Sequence, residues 1–307
     1  MASPHGPGIL LVDKPGGMTS HDVVARARKA LGTRKIGHAG TLDPLATGLL
    51  VLGVDSATRL LTYLVGLDKT YEATIRLGAA TDSDDSDGET VSRADPRAIA
   101  NVDEEAIAAR IAPLTGRISQ VPSTVSAIKV DGRRAYDLAR AGEEVVLASR
   151  EVTVSRFDVR AVRRSTDAID LDVVVDCSSG TYIRALARDL GSALGVGGHL
   201  TALRRTRVGP FDVADAVLPE AIADRPLLAS ADVAARVLGR LDVSDAEATA
   251  LRHGQRLIDA AGRIAGEQAA AIDPAGELIG IVARRGADLK SAMNLPTGSA
   301  AVEGAAQ

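Results

Sequence analysis

Arg34-Lys-Ile-Gly-His-Ala-Gly-Thr-Leu-Asp-Pro-Leu-Ala-Thr-Gly48 lies between two segments that read as regular structure. Before it, residues 20–31 have the pattern of an amphipathic helix, with Ser20 as its cap and Val23, Val24, Ala27 and Leu31 on one face. After it, residues 49–54 are an uninterrupted apolar run, the mark of a buried strand. Gly37, Gly40 and Gly48 open backbone angles that other residues avoid, and Pro44 pushes Asp43 toward an extended conformation. Asp43 is therefore a carboxylate on a glycine-rich loop held between a helix and a strand, a place where function concentrates. On chemistry alone two readings stand. Asp43 is a turn residue, because Asp-Pro starts turns, or it is a catalytic carboxylate approached through Arg34, Lys35 and His38.

Composition narrows the class. The chain has 307 residues, 46% hydrophobic and 25% charged, as in an ordinary globular protein of two domains or one large one. No apolar run is long enough to span a bilayer, and residues 1–8 lack the basic start and apolar core of a signal peptide. A single cysteine, Cys177, rules out an internal disulfide and suits a cytoplasmic location. One cysteine and five scattered histidines argue against a zinc cluster. The net charge of −4 is a weak argument against nucleic acid, but bases gather at 26–35, 129–140 and 204–207, and phosphate binding needs local positive charge rather than a positive total.

Outward from the loop, residues 8–12 read as a strand and 56–64 as a helix. Residues 69–77 alternate Tyr71, Ala73, Ile75 and Leu77 with polar neighbours, a half-buried strand. The acidic run 81–89 imitates a calcium loop but lacks the later bidentate glutamate, so it reads as a solvated loop without a metal. Residues 103–114 form a helix, 126–130 a strand, and 133–140 a short basic helix carrying Tyr136. That basic excursion is either a clamp on a polyanion or a solvated hairpin. Residues 144–160 and 168–176 alternate as sheet strands. From Thr181 the set Ile183, Leu186, Ala187, Leu190 and Leu194 repeats with helical period, leaving Tyr182 and Arg184 off the apolar face. Arg184 is an exposed helix residue or the partner of a buried carboxylate. Residues 199–208 form an arginine-rich strand, and 219–225 look like a domain junction. Beyond residue 240, Ser244 and Glu247 make a capping box, and short strands follow near 268–272 and 278–283.

Several motifs together resemble the bacterial TruB-type tRNA pseudouridine synthase family. They are Gly8-Ile-Leu-Leu-Val-Asp-Lys-Pro-Gly-Gly-Met-Thr-Ser20, the loop from Lys35 to Gly48, Lys69-Thr-Tyr-Glu72, Gly180-Thr-Tyr-Ile-Arg184 leading to Asp189-Leu-Gly191, and His199-Leu-Thr-Ala-Leu-Arg-Arg-Thr206. The resemblance implies that Asp43 is the catalytic aspartate in the isomerisation of uridine 55 in the tRNA T-arm. It implies that Tyr71 stacks on the target base, that Arg184 pairs with Asp43, and that His38 contacts the RNA and helps to flip the base. Lys14 and Pro15 match a motif supporting the loop, and Leu203 matches an apolar residue of the pocket. Lys129, Arg133, Arg134 and Tyr182 join them as RNA contacts. No redox or phosphoryl step occurs, so the resemblance implies no cofactor and no metal.

The chemistry suits these residue types. A carboxylate acts at ribose C1′ as nucleophile, or takes the 2′ proton to give a glycal. An arginine keeps it ionised, an aromatic face receives a flipped uracil, and shape and stacking recognise an RNA loop. In this reading the glycines let an RNA backbone approach. One departure is Pro122-Ser-Thr-Val-Ser-Ala-Ile-Lys129, where the family often has a second proline and a tyrosine at positions 123 and 125.

The expected fold is α/β, of the α+β kind: a mixed, largely antiparallel sheet flanked by helices, with a small C-terminal β-rich domain like the PUA type. Residues 8–235 would be the catalytic domain with an RNA clamp at about 122–150, residues 240–290 the RNA-binding domain, and 296–307 a disordered tail. The expected partner is tRNA, bound by a monomer. Three rivals are a guide-RNA-dependent synthase core, a tRNA-folding chaperone without relevant catalysis, and a metal-dependent RNA-processing enzyme using the acidic run.

Overall fold

The computed structural model describes residues 6–124, 129–130, 133–134 and 147–296, the two short pairs by their backbone. In chain order come β1 (Gly8–Lys14), α1 (Ser20–Ala30), β2 (Ile36–Ala39), β3 (Thr47–Val54), α2 (Leu61–Val65) and β4 (Lys69–Leu77). Next are the hairpin β5 (Ala79–Thr81) and β6 (Thr90–Arg93), α3 (Pro96–Ala100), α4 (Glu104–Ile111), β7 (Gly116–Gln120), and the paired β8 (Lys129–Val130) and β9 (Arg133–Arg134). Then follow β10 (Arg150–Arg164), β11 (Ile169–Cys177), α5 (Ile183–Ala193), β12 (Gly198–Val208) and β13 (Phe211–Asp212). The main sheet runs β1-β3-β12-β4-β11-β10-β7, with β2 added on β3 and β13 on β12. Its pairings are antiparallel except for β12 against β3, where Arg204 lies beside Thr47 and Arg205 beside Gly48.

The apolar run after the loop is continuous because β3 is covered on both sides. Leu50 and Leu52 meet Val23, Val24 and Ala27 of α1, while Leu49 and Val51 meet Leu64, Phe211 and Val233. β4 alternates as expected. Tyr71, Ala73, Ile75 and Leu77 face a core shared with Ile183, Leu186 and Leu190 of α5. Its other face pairs polar groups across strands, Thr74 donating to Asp172 at 2.8 Å and Arg76 to Asp170 at 2.8 Å.

The structure corrects several boundaries. Thr19, not Ser20, caps α1: its side chain accepts from the Asp22 N–H while Asp22 accepts from the Thr19 N–H. Residues 55–60 form a 3-10 turn ahead of the short α2, and β10 begins at Arg150 rather than at 144. Arg133 and Arg134 belong to a strand pair with Lys129 and Val130. The rest of the expected basic helix, Tyr136 included, lies outside the described residues, as does the tail beyond Pro296. The supposed junction near 219 is a 3-10 turn, Pro219–Asp224, with Ile222 fully buried against α1.

The break in character comes at Gly239, whose φ of 83° ends α6 (Ser230–Leu238). A second sheet follows, ordered β14 (Arg240–Asp242), β16 (Gln268–Ile272), β17 (Leu278–Arg285), β18 (Asp288–Asn294), β15 (Arg256–Leu257). The helix α7 (Asp245–Arg252) carries the expected Ser244–Glu247 capping box.

Candidate active site

The loop between β2 and β3 is a fastened turn. The Asp43 carbonyl accepts from the Ala46 N–H at 3.1 Å, so the turn reading of Asp43-Pro44 holds. Three polar groups hold the loop from below. Ser20, fully buried, accepts from the Leu42 N–H at 2.9 Å and donates to the Leu42 carbonyl at 3.2 Å. The Lys14 ammonium donates to the carbonyls of Pro15 (3.0 Å), Met18 (2.6 Å) and Pro44 (3.4 Å). Arg205 donates from Nη2 to the Gly40 carbonyl at 3.0 Å and from Nε to the Leu49 carbonyl at 2.7 Å. Burial pulls the Lys14 ammonium down to about 8, with nearby Asp43 acting against the shift and Arg205 with it. The glycines serve internal packing. At Gly48, with φ +101°, a Cβ would sit 2.2 Å from the Arg205 carbonyl oxygen, so the close approach there is to β12.

Asp43 faces a cleft of about 250 Å3, and it is the only carboxylate among the described residues that line it. Its Oδ2 lies 3.0 Å from Nε of Arg184. The Arg184 side chain is 5% exposed and Asp43 is 39% exposed, so the guanidinium is interior and the carboxylate opens to the cleft. Arg184 also reaches Asp85 Oδ2 from Nη1 at 3.3 Å and donates to the Ser83 carbonyl at 2.9 Å. Desolvation pushes the Asp43 carboxyl above the ordinary carboxylate range; Arg184 and Lys14 oppose that and Asp85 adds to it.

The acidic run is thus a solvated loop only in part. Ser83, Asp84 and Asp85 are buried, Asp84 pairs with Arg188 at 3.1 Å, and the Asp84 carbonyl accepts from the Leu200 N–H at 3.0 Å. Asp84 and Asp85 meet arginines of α5, while Asp82, Asp87 and Glu89 are exposed to solvent. Asp85 and Arg205 are residues of the candidate site that sequence reasoning missed. The signal available for Asp85 was Arg184 itself, a cation off the apolar face of a helix that otherwise packs inward.

Further walls come from β4, β12 and the start of α5. Tyr71, from β4, is 8% exposed and lines the cleft with Leu203 and Arg205 of β12 and Tyr182 at the start of α5. Burial raises the Tyr71 phenol, and the positive charge of Arg205 acts the other way. Lys69 is turned to the carbonyls of Val65 (3.0 Å) and Leu67 (2.6 Å), and burial lowers it to about 8. Asp43, Tyr71, Arg184, Tyr182 and Leu203 therefore meet in one cleft. Lys14 lies beneath the loop. His38, on β2, does not line the cleft; it meets His21 edge-on with ring centroids 5.6 Å apart, and burial lowers its pKa. The side chains of Lys129, Arg133 and Arg134 lie outside the described residues.

Residues 28–183 match the N-terminal domain of the TruB family of pseudouridylate synthases. Residues 184–244 match the tRNA pseudouridylate synthase B C-terminal domain, and 238–296 the tRNA pseudouridine synthase II C-terminal domain. Among curated proteins, the tRNA pseudouridine synthase B of Leifsonia xyli subsp. xyli is 58% identical over 296 residues, covering 95% of this chain and 97% of that protein. That of Nocardia farcinica is 60% identical over 252 residues, 81% of each chain. Among solved structures, one described as a Cbf5-Nop10-Gar1 complex contains a chain that superposes with a TM-score of 0.69 at 25% identity, covering 94% of this chain and 84% of that one.

Proposed function

As the chain belongs to the TruB family and is a tRNA pseudouridine synthase, we propose that its target is uridine 55 of the tRNA T-loop and that Asp43 is the reacting carboxylate. The observation carrying the proposal is the asymmetric ion pair. One buried guanidinium lies between Asp85, also buried, and Asp43, which alone of the two opens to the cleft. Arg184 orients Asp43 and favours its anion against the desolvation that would protonate it.

The cleft has room for one flipped base. Tyr71 and Tyr182 supply aromatic faces for it, each stacking contact contributing about 1–3 kcal/mol. The Asp43 anion then attacks ribose C1′ and expels uracil through N1, or removes the 2′ proton as uracil departs and leaves a glycal. The uracil anion turns within the cleft and bonds to C1′ through C5, displacing the Asp43 carboxylate from C1′ in the first route or, in the second, as the Asp43 carboxylic acid returns the proton to C2′; the C5 proton is lost last and N1 is protonated. With its phenol pushed up by burial, Tyr71 is neutral near pH 7, which suits a stacking platform and proton relay better than a phenolate base. His38, Lys129, Arg133 and Arg134 complete the proposed RNA-facing set, and the unit formed by β14–β18 would touch the arm outside the loop. Lys14, expected among the RNA contacts, is fully buried and serves the loop from beneath instead.

A guide-dependent role is less favoured. The likeness to the chain of the Cbf5-Nop10-Gar1 complex is 25% identity, against 58% along nearly the whole of the Leifsonia protein.

The test is to incubate unmodified tRNA with the protein and map pseudouridine by a base-specific chemical stop. One modified T-loop uridine is expected, unaffected by chelator and absent with Asp43→Asn while tRNA binding persists. Full activity of that variant would overturn the role of Asp43, and modification elsewhere would overturn the target. A slower reaction with 2′-deuterated target uridine would select the glycal route.

A further inference from the structure

Gln120 is a buried amide that the catalytic scheme does not use. It ends β7, is 1% exposed, and holds the backbone of one residue from both sides. Its Oε1 accepts from the Tyr182 N–H at 2.8 Å and its Nε2 donates to the Tyr182 carbonyl at 3.0 Å. Tyr182 is the N-cap of α5 yet has no side-chain cap of its own; its carbonyl also accepts from the Leu186 N–H at 3.2 Å. Directly opposite Gln120 in the β7–β10 register stands Arg150, whose guanidinium lies 5.1 Å from the centroid of the Tyr182 ring. One cross-strand pair therefore grips the backbone and the ring of one cleft-lining tyrosine. Two residues further on is Arg184, 3.0 Å from Asp43. A second tie joins the same stretch to α5, with Arg188 donating to the Val121 carbonyl at 2.8 Å.

We infer that Gln120 is a positioning residue for the isomerisation: with Arg150 it locks Tyr182 as a fixed wall of the base pocket and sets the first turn of α5, so that Arg184 meets Asp43 in register. An amide is suited to this role, because it offers one donor and one acceptor in a plane and so matches the N–H and C=O of a single residue. A methionine of similar length fills the space but supplies neither. Two peptide planes are then free to rock, and a displacement of about 1 Å at a reacting centre costs up to about 100-fold in rate. This rests on the uridine-isomerising reading of the cleft.

The test compares single-turnover rates at saturating enzyme, and tRNA affinity, for the wild type, Gln120→Met, Tyr182→Ala and the double variant. Gln120→Met is expected to slow the chemical step about 10- to 100-fold at wild-type tRNA affinity. The double variant is expected to be slower than Tyr182→Ala, which keeps the backbone that Gln120 holds, but to lose less than the product of the two single losses, because the part of the Gln120 effect that runs through the ring is already gone. A wild-type rate in folded Gln120→Met, or losses that simply multiply, would overturn the inference. Should Gln120→Met not fold, Arg150→Met tests the same platform from outside the core. It is expected to lower the rate without adding to Tyr182→Ala, and a loss of affinity alone would count against the lock. The wild-type lane separates the two levels: no pseudouridine there defeats the reading of the cleft, whereas full wild-type activity with unimpaired variants defeats the positioning role alone.

Discussion

Arg184 carries two carboxylates, and their surroundings divide the labour between them. Asp85 is buried and anchors the guanidinium; Asp43 is presented to the cleft. Asp85→Asn should therefore leave the reacting group intact but loosen what aims it. Removing one partner of a buried pair costs about 3–5 kcal/mol, and a slackened Arg184 should lower the single-turnover rate about 10- to 100-fold while tRNA affinity stays put. Unfolding curves and rates on one preparation check both. The pH profile follows from two shifted groups. Asp43 sits above the ordinary carboxylate range, so activity should fall on acidification, beginning at a higher pH than the ~3.9 of a free aspartate would give. Lys14 titrates at about 8, and a neutral amine has two N–H donors for three carbonyls, so the loop slackens and activity falls again above about pH 8. Stability moves the opposite way there. A lysine whose folded pKa is depressed holds fewer protons folded than unfolded between about 8 and its model value of 10.5, so its contribution to stability rises across that window. Likewise, the raised Asp43 pKa means that its ionisation weakens the fold as pH rises from the unfolded toward the folded value. Asp43→Asn should then be inactive yet no less heat-stable at pH 7, measurable as an unchanged or raised Tm.

The loop from β2 to β3 works as one element because each fastening comes from a different neighbour: Ser20 from α1, Lys14 from β1 and Arg205 from β12. Ser20→Ala strands the buried Leu42 N–H and should cost about 1–3 kcal/mol, with a further loss of rate, because Leu42 adjoins Asp43. A rate equal to wild type in that variant would mean that the loop holds its shape without α1. Much of this element was legible in the sequence. The glycine spacing and Asp43-Pro44 marked a turn, the alternation in β4 placed Tyr71 on the inner face, and the helical period of α5 set its inward side. What stayed hidden depends on partners distant in the chain. The carboxylates of 84–85 looked like a solvated run because the arginines that neutralise them lie about a hundred residues later. Gln120 showed nothing beyond a strand end, since its partner is the backbone of residue 182, and backbone groups leave no trace in a sequence. Residues 219–224 looked like a linker because two residues, Pro219 and Ile222, carry their burial, too few to show a period.

At the scale of the whole molecule, the two sheets are joined by an apolar seam rather than a tether. Leu60, Tyr63, Ala231, Ala234 and Leu238 from the N-terminal side meet Ala270, Ile272, Leu278 and Ile281 of the second sheet, and Arg59 donates to the Asn294 carbonyl at 2.6 Å. Leu60 is 1% exposed and belongs to the turn that follows β3, the strand leading out of the Asp43 loop. Such a seam ties the stability of both units together, because separating them exposes apolar surface on each. Urea unfolding followed by far-UV circular dichroism should accordingly show one transition. Leu60→Ala, which removes side-chain volume at the seam and nothing from the cleft, should cost about 2–5 kcal/mol and shift that single transition as a whole. A chain ending at Gly239 should expose Leu60, Ala231 and Ala234 and associate in solution, detectable by light scattering. If Leu60→Ala instead split unfolding into two steps, with pseudouridine formation surviving the first, the second sheet would be an independent attachment. The cleft would then owe it nothing in stability, and the only role left to it would be contact with the tRNA.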